Sequence, residues 1–283
     1  MARPRLVTPL DQRGTRRGTL ARDVAVGIGV GAFSGALGVG GGIILVPFLV
    51  LALHMAQKRA QATALVMVAM AAGAGAVRYA IDEAVAWGPA AIILVGGLAG
   101  AWIGSHVVQR TGDRRLQIVF GIMLLIAGVR LMWPTQVTAL AAEDVPALSI
   151  VVAMAYAVSG LAMGLLSALL GIGGGILLVP VLVTAFGFSQ HLANGTSLTV
   201  MLPIALLGAI RLTKPGLTDW RQGSRFGIGS IVGALAGASL ALALSGPFLR
   251  WAFAIVLLAV GARMTYVALS PGRTPDPPFG PWP

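Results

Sequence analysis

Glycines packed densely enough to break a helix inside an apolar stretch leave backbone N–H groups free, and free N–H groups at a helix start bind anions. This chain carries such a cluster twice. Gly38, Gly40, Gly41 and Gly42, followed by Val46-Pro47, recur 133 positions later as Gly171, Gly173, Gly174 and Gly175, followed by Val179-Pro180. Each Gly inside a helix costs about 1 kcal/mol relative to Ala, so both runs mark backbone breaks. A half-helix starting near Gly41-Gly42 would aim its unpaired donors and positive dipole end at the break, and one starting near Gly174-Gly175 would supply the mirror partner. Pro47 and Pro180 lie too deep in these half-helices to be first-turn prolines and are read as structural kinks. The cluster is not a nucleotide loop, because no Lys-Ser or Lys-Thr follows the glycines.

The same register supplies candidate side-chain ligands. Ser34 falls on Ser167, Gln57 on Gln190 and Thr63 on Thr196, while Asn194 and Ser197 stand opposite Gln61 and Ala64. Hydroxyl and amide donors suit a sulfonate or carboxylate without a fixed countercharge. The serines, Gln57, Thr63, Gln190, Asn194, Thr196 and the glycines are therefore the expected binding residues for a small anionic substrate. Arg78/Arg211 and Arg130/Arg263 are also repeat-paired, at segment ends. They suit snorkelling to the interface, or drawing anions to a vestibule.

The elements that hold these residues are apolar. The 283 residues are 57% hydrophobic and 10% charged, with mean hydropathy +0.89, which excludes a soluble domain. None of the nine acidic residues lies inside an apolar stretch as read from the sequence, which weighs against a cation pump. Cysteine is absent, and His54, His106 and His191 lack ligand-like spacing, so neither a metal nor any other cofactor is expected. The net charge of +11 sits mainly in loops and ends, the pattern of a membrane protein and not of a nucleic-acid binder.

Apolar segments run over 24–53, 60–80, 89–109 and 114–133, then over 148–186, 193–213, 222–244 and 247–269. Most fit one crossing of a bilayer, whereas the glycine break divides 24–53 into pieces suited to half-helices. If each motif segment is re-entrant, the N-terminal arm and the loops bearing Lys58-Arg59, Arg110/Arg114/Arg115 and Arg211/Lys214/Arg221/Arg225 share the cytoplasmic side. Three crossings and a hairpin per half is an odd count, so the halves would be inverted. The alternative is eight full spans and parallel halves. The expected fold is an all-α polytopic membrane protein of two homologous repeats. Its parts are a flexible basic cytoplasmic arm (1–22), a first repeat (23–134), a linker (135–147), a second repeat (148–270) and a Pro-rich tail (271–283).

The doubled Gly-x-Gly-Gly-Gly-x-x-x-Val-Pro, each copy followed by a Gln and then Ala-x-x-Thr (Gln57, Ala60, Thr63; Gln190, Ala193, Thr196), resembles the sulfite exporter TauE/SafE family over residues 24–269. The resemblance implies a plasma-membrane permease for sulfite, sulfonates or related organic anions. One departure is Ala64, where the second copy has Ser197. The chain is thus expected to be a secondary transporter working by alternating access. An anion channel and a non-transporting membrane partner are the alternatives, and an intramembrane enzyme is disfavoured by the lack of acid pairs and cysteine in the apolar core. The sequence leaves a homodimer open.

Overall fold

The computed structural model describes residues 9–38, 40–132, 149–243 and 246–270, which form ten helices. The linker at 135–147, the tail at 271–283 and the first eight residues of the basic arm lie outside the described residues. In the first half come α1 (Pro9–Leu37), α2 (Gly42–Leu51), α3 (Gln57–Ile81), α4 (Trp87–Arg110) and α5 (Asp113–Met132). In the second come α6 (Ile150–Leu170), α7 (Gly175–Phe186), α8 (Gln190–Thr213), α9 (Trp220–Ala243) and α10 (Gly246–Leu269). The starts of α2 to α5 map onto those of α7 to α10 at the 133-residue offset.

Small residues let the helices approach closely, and the contacts fix their directions. Gly27, Gly31 and Gly35 of α1 meet Phe226, Ser230 and Ala234 of α9 in the same order, so these two helices run parallel. A Cβ on any of the three would stand 2.1–2.4 Å from a backbone oxygen of α9. Gly96, Gly100 and Gly104 of α4 meet Ala157, Leu161 and Leu165 of α6 in the same way. Helix α3 runs parallel to α9, from Gly223 against Thr63 and Val66 to Arg78 donating to Ser239. It runs antiparallel to α8, where Gly73 meets Leu202 and Gly208 meets Leu65. Helices α5 and α10 are antiparallel, with Gly121 at Thr265 and Gly128 at Leu258.

Within each half the first two helices form a hairpin. Phe48 of α2 packs edge-on against Phe226, level with Gly27 of α1, and Tyr156 of α6 stacks on Phe186 of α7 at 4.2 Å. If α1 points up, α3, α5, α7 and α9 also point up, and the even-numbered helices point down. Every helix of the second half therefore runs opposite to its counterpart. Among the described residues, six helices are long and apolar enough to cross a membrane: α1 from Leu20, α3, α4, α6, α8, and α9 as far as Ala241. Helices α5 and α10, expected as crossings, are outside that set; with 20 and 24 residues they have the length for one. Val95, Ile126, Val151 and Ile255 are among the large apolar side chains left on the outer surface.

Three sequence expectations change. The arms entering the breaks are not half-helices. The apolar part of α1 has 18 residues and α6 has 21, about 27 and 32 Å, and only the returning α2 and α7 are short, with 10 and 12. The arm at 1–22 is helical from Pro9, because proline suits a first helical position and the following Gln, Arg and Leu are good helix formers. Asp23, read as lying outside the apolar stretches, falls within the span Leu20–Leu37 and is 1% exposed. It is held there by Arg22 at 3.1 Å and Arg225 at 3.9 Å, so the buried charge is compensated.

Candidate functional site

The two glycine breaks meet in the middle of the molecule. Gly40 and Gly173 both adopt positive φ, 73° and 81°, a backbone shape that side chains resist. A Cβ on Gly40 would lie 2.6 Å from the Ile172 carbonyl oxygen and from the Met201 sulfur; one on Gly173 would lie 2.4 Å from the same sulfur and 2.7 Å from Val68. A Cβ on Gly42 would lie 2.2 Å from the Gly171 carbonyl oxygen. Val68 and Met201 are repeat counterparts and the twelfth residues of α3 and α8, so the seam sits at mid-height of the central helix pair.

Both half-helices begin at this seam, α2 capped by Gly41 and α7 by Gly174. The Leu45 N–H donates to the Gly41 carbonyl at 3.0 Å and that of Leu178 to the Gly174 carbonyl at 3.3 Å. Helix geometry leaves the N–H groups just before them, on Gly42-Ile43 and Gly175-Ile176, without an intrahelical acceptor, and all four residues are buried. As α2 runs down and α7 up, both positive dipole ends lie at the centre. Pro47 lies inside α2, and Pro180 has the same register in α7. With no N–H, each leaves the carbonyl four residues earlier, Ile43 or Ile176, without its helical donor.

Ser34 and Ser167 sit one turn before the breaks, their carbonyls accepting the N–H groups of Gly38 and Gly171 at 2.9 Å. Their hydroxyls are buried with no partner among the described residues. Ser34 lines a pocket of ≈ 180 Å³, open mouth included, with Phe33, Leu37, Gly40, Gly41, Ile43 and Ile44. The side-chain amides of Gln57 and Gln61 and the hydroxyl of Ser197 are likewise buried and unpaired. Gly38 packs on Asn194, and Gly171 packs on Gln61. Each hairpin tip thus rests on the amide-bearing residue of the opposite half. Gln61 is absent from the expected ligands although its signal was present, since it is Asn194 shifted by the repeat offset.

Other expected residues have structural partners. The Thr63 hydroxyl accepts the Asp219 N–H at 3.2 Å and that of Thr196 accepts the Ala86 N–H at 3.0 Å, tying the start of each long inner helix to the loop before α9 or α4. Gln190 Nε2 donates to Asn194 Oδ1 at 2.9 Å, and Asn194 Nδ2 donates to the Tyr79 hydroxyl at 3.4 Å. Arg78 pairs with Asp82 and reaches Ser239. Arg211 donates to Ser105 at 3.0 Å and lies 5.0 Å over the Trp102 ring. Both arginines therefore link helices. Arg263 is exposed on α10, and the side chain of Arg130 lies outside the described set. Among the described residues no group of three or more His, Cys, Asp or Glu is placed to hold a metal ion.

The arrangement is two opposed hairpins meeting through glycine between long membrane-spanning helices. A "Probable membrane transporter protein" of Xylella fastidiosa (strain 9a5c) is 31% identical over 244 residues, covering 84% of this chain and 92% of that protein. The "Probable membrane transporter protein YunE" of Bacillus subtilis (strain 168) is 23% identical over 267 residues, covering 86% and 96%. No solved structure matches the chain significantly. The family described as "Sulfite exporter TauE/SafE" matches residues 1–131 and 156–283, which take in both glycine breaks and both hairpins. By that match across both repeats, the chain belongs to the sulfite exporter TauE/SafE family and is a multi-pass membrane transporter.

Proposed function

We propose that this protein is a secondary transporter of small anions, of the sulfite, sulfonate or related organic-anion class, working by alternating access in the plasma (inner) membrane. The observation that carries the reading is the convergence of two half-helix N-termini on one buried glycine seam, flanked by the unpaired hydroxyls of Ser34 and Ser167. Unpaired donors and positive dipole ends in a low-dielectric centre favour an oxyanion. Breaks at matching places in two opposed repeats support a carrier that rocks about a central site. The lower end of the molecule carries Arg22, Lys58, Arg110, Arg114, Lys214 and Arg221, so the positive-inside rule supports a cytoplasmic lower end and N-terminus.

The test is purified protein in liposomes with a panel of labelled anions: sulfite, sulfate, sulfoacetate, taurine and acetate. Saturable uptake of a sulfur oxyanion or sulfonate, accelerated by unlabelled substrate on the opposite side, is expected. Uptake without such counterflow would mark a channel, and no uptake of any of them would remove the anion-transport reading.

A further inference from the structure

We infer that the transported anion is bound as a monoanion that keeps an O–H, held by the side-chain amides of Gln57 and Gln61 at the lower end of the site. This rests on the anion-transport reading above and narrows it. Gln57 and Gln61 are the first and fifth residues of α3, one turn apart on one face, and are 3% and 0% exposed. All four of their amide nitrogen and oxygen atoms lack a partner among the described residues. Their counterparts on α8 are closed: Gln190 donates to Asn194, Asn194 donates to the Tyr79 hydroxyl, and that hydroxyl donates to the Gly35 carbonyl. The repeat explains the difference. The position equivalent to Tyr79 is Leu212, fully buried and without a hydroxyl to complete the lower network.

Of two equivalent polar pairs, the upper is locked by protein and the lower awaits a ligand. Buried polar groups are rarely left without partners, so the open pair marks where one binds. Each amide offers a donating Nε2 and an accepting Oε1. A fully ionised oxyanion has only acceptors and would leave both buried Oε1 atoms without a donor. A hydrogensulfite-type monoanion presents oxygens to the two Nε2 groups and its O–H to an Oε1. The proton then travels on the cargo. This fits a core in which the buried Asp23 is already paired with arginine. Raising pH through the last ionisation of the cargo removes the O–H species, so flux must fall as pH rises.

Proteoliposomes loaded by labelled sulfite at fixed total concentration, from mildly acid to mildly alkaline pH, test this, because sulfite exchanges its last proton near neutrality. Initial rates should follow the hydrogensulfite fraction. Methanesulfonate, a monoanion with no O–H, should be carried roughly tenfold more slowly or worse. Gln57→Leu and Gln61→Leu should each lower sulfite flux by about tenfold or more, and Gln61→Asn should retain part of it. Flux that is flat with pH or follows the dianion, methanesulfonate carried as fast as sulfite, or a Gln61→Leu protein that transports normally would each overturn the inference. If the leucine variants fail to reach the membrane, the pH profile and the methanesulfonate comparison on the unaltered protein decide. Sulfite flux without pH dependence refutes this inference alone, whereas no flux of any anion refutes the anion-transport reading with it.

Discussion

Gly42 approaches the Gly171 carbonyl so closely that a methyl group would stand 2.2 Å from it, and Gly171 itself sits at φ 69° against the Gln61 backbone. Backbone on backbone cannot yield as a flexible side chain can, so Gly42→Ala forces the seam apart at a cost of about 1–3 kcal/mol. We expect Gly42→Ala and Gly171→Ala to insert at normal levels and lose at least about tenfold in flux; normal flux in either would show that the seam does not need to close. Arg78 and Arg211 link helices, so replacing either with Gln should lower stability by about 1.5–3 kcal/mol, read as a drop in melting temperature in detergent. If the two arginines instead recruit anions, the same variants will melt normally and lose flux mainly at low salt. Tyr79→Phe should loosen the upper lock on Asn194 and raise accessibility from the upper side, measurable as faster labelling of a cysteine placed at Ser197.

At the level of elements, the short returning helices do what the others cannot, because only they start at mid-depth and so bring helix N-termini there. Pro47 leaves the Ile43 carbonyl without its helical donor near the start of α2. Pro47→Ala restores that donor, and we expect a protein as stable or more stable with turnover several-fold lower; unchanged turnover would reduce Pro47 to a packing residue. Much of this layout was legible in the sequence. The breaks, the short α2 and α7, and the paired starts of α3/α8 and α4/α9 follow from local glycine density and from a repeat that needs no gaps. The remainder depends on partners far along the chain. The small-residue face Gly27, Gly31 and Gly35 is visible in α1, but its seat on α9 is not, since any apolar helix with small residues could receive it. The same holds in part for Asp23, whose neighbour Arg22 is joined by Arg225 from some 200 residues away. Thr63 and Thr196 were read as ligands because hydroxyls near a break suit anions, and only the tertiary fold brings them the N–H groups of Asp219 and Ala86.

For the molecule as a whole, the opposed directions of matching helices make a testable map of sidedness. The chain has no cysteine, so single cysteines introduced at exposed Arg110 and His191 report without background. A membrane-impermeant maleimide should label His191→Cys in intact cells and Arg110→Cys only after the cells are opened; labelling of both from the same side would exclude opposed repeats. The parallel pairs α1–α9 and α4–α6 each take one helix from either half. Neither half, then, is a unit of assembly. The face of α1 around Gly27 has no partner until Phe226 is made, about 200 residues later, which at roughly 5–20 residues per second is some 10–40 s of synthesis. During that interval the first repeat stands in the bilayer with its glycine ridge against lipid, so biogenesis, and not only transport, depends on how long an unfinished chain can be kept from pairing with the wrong neighbour.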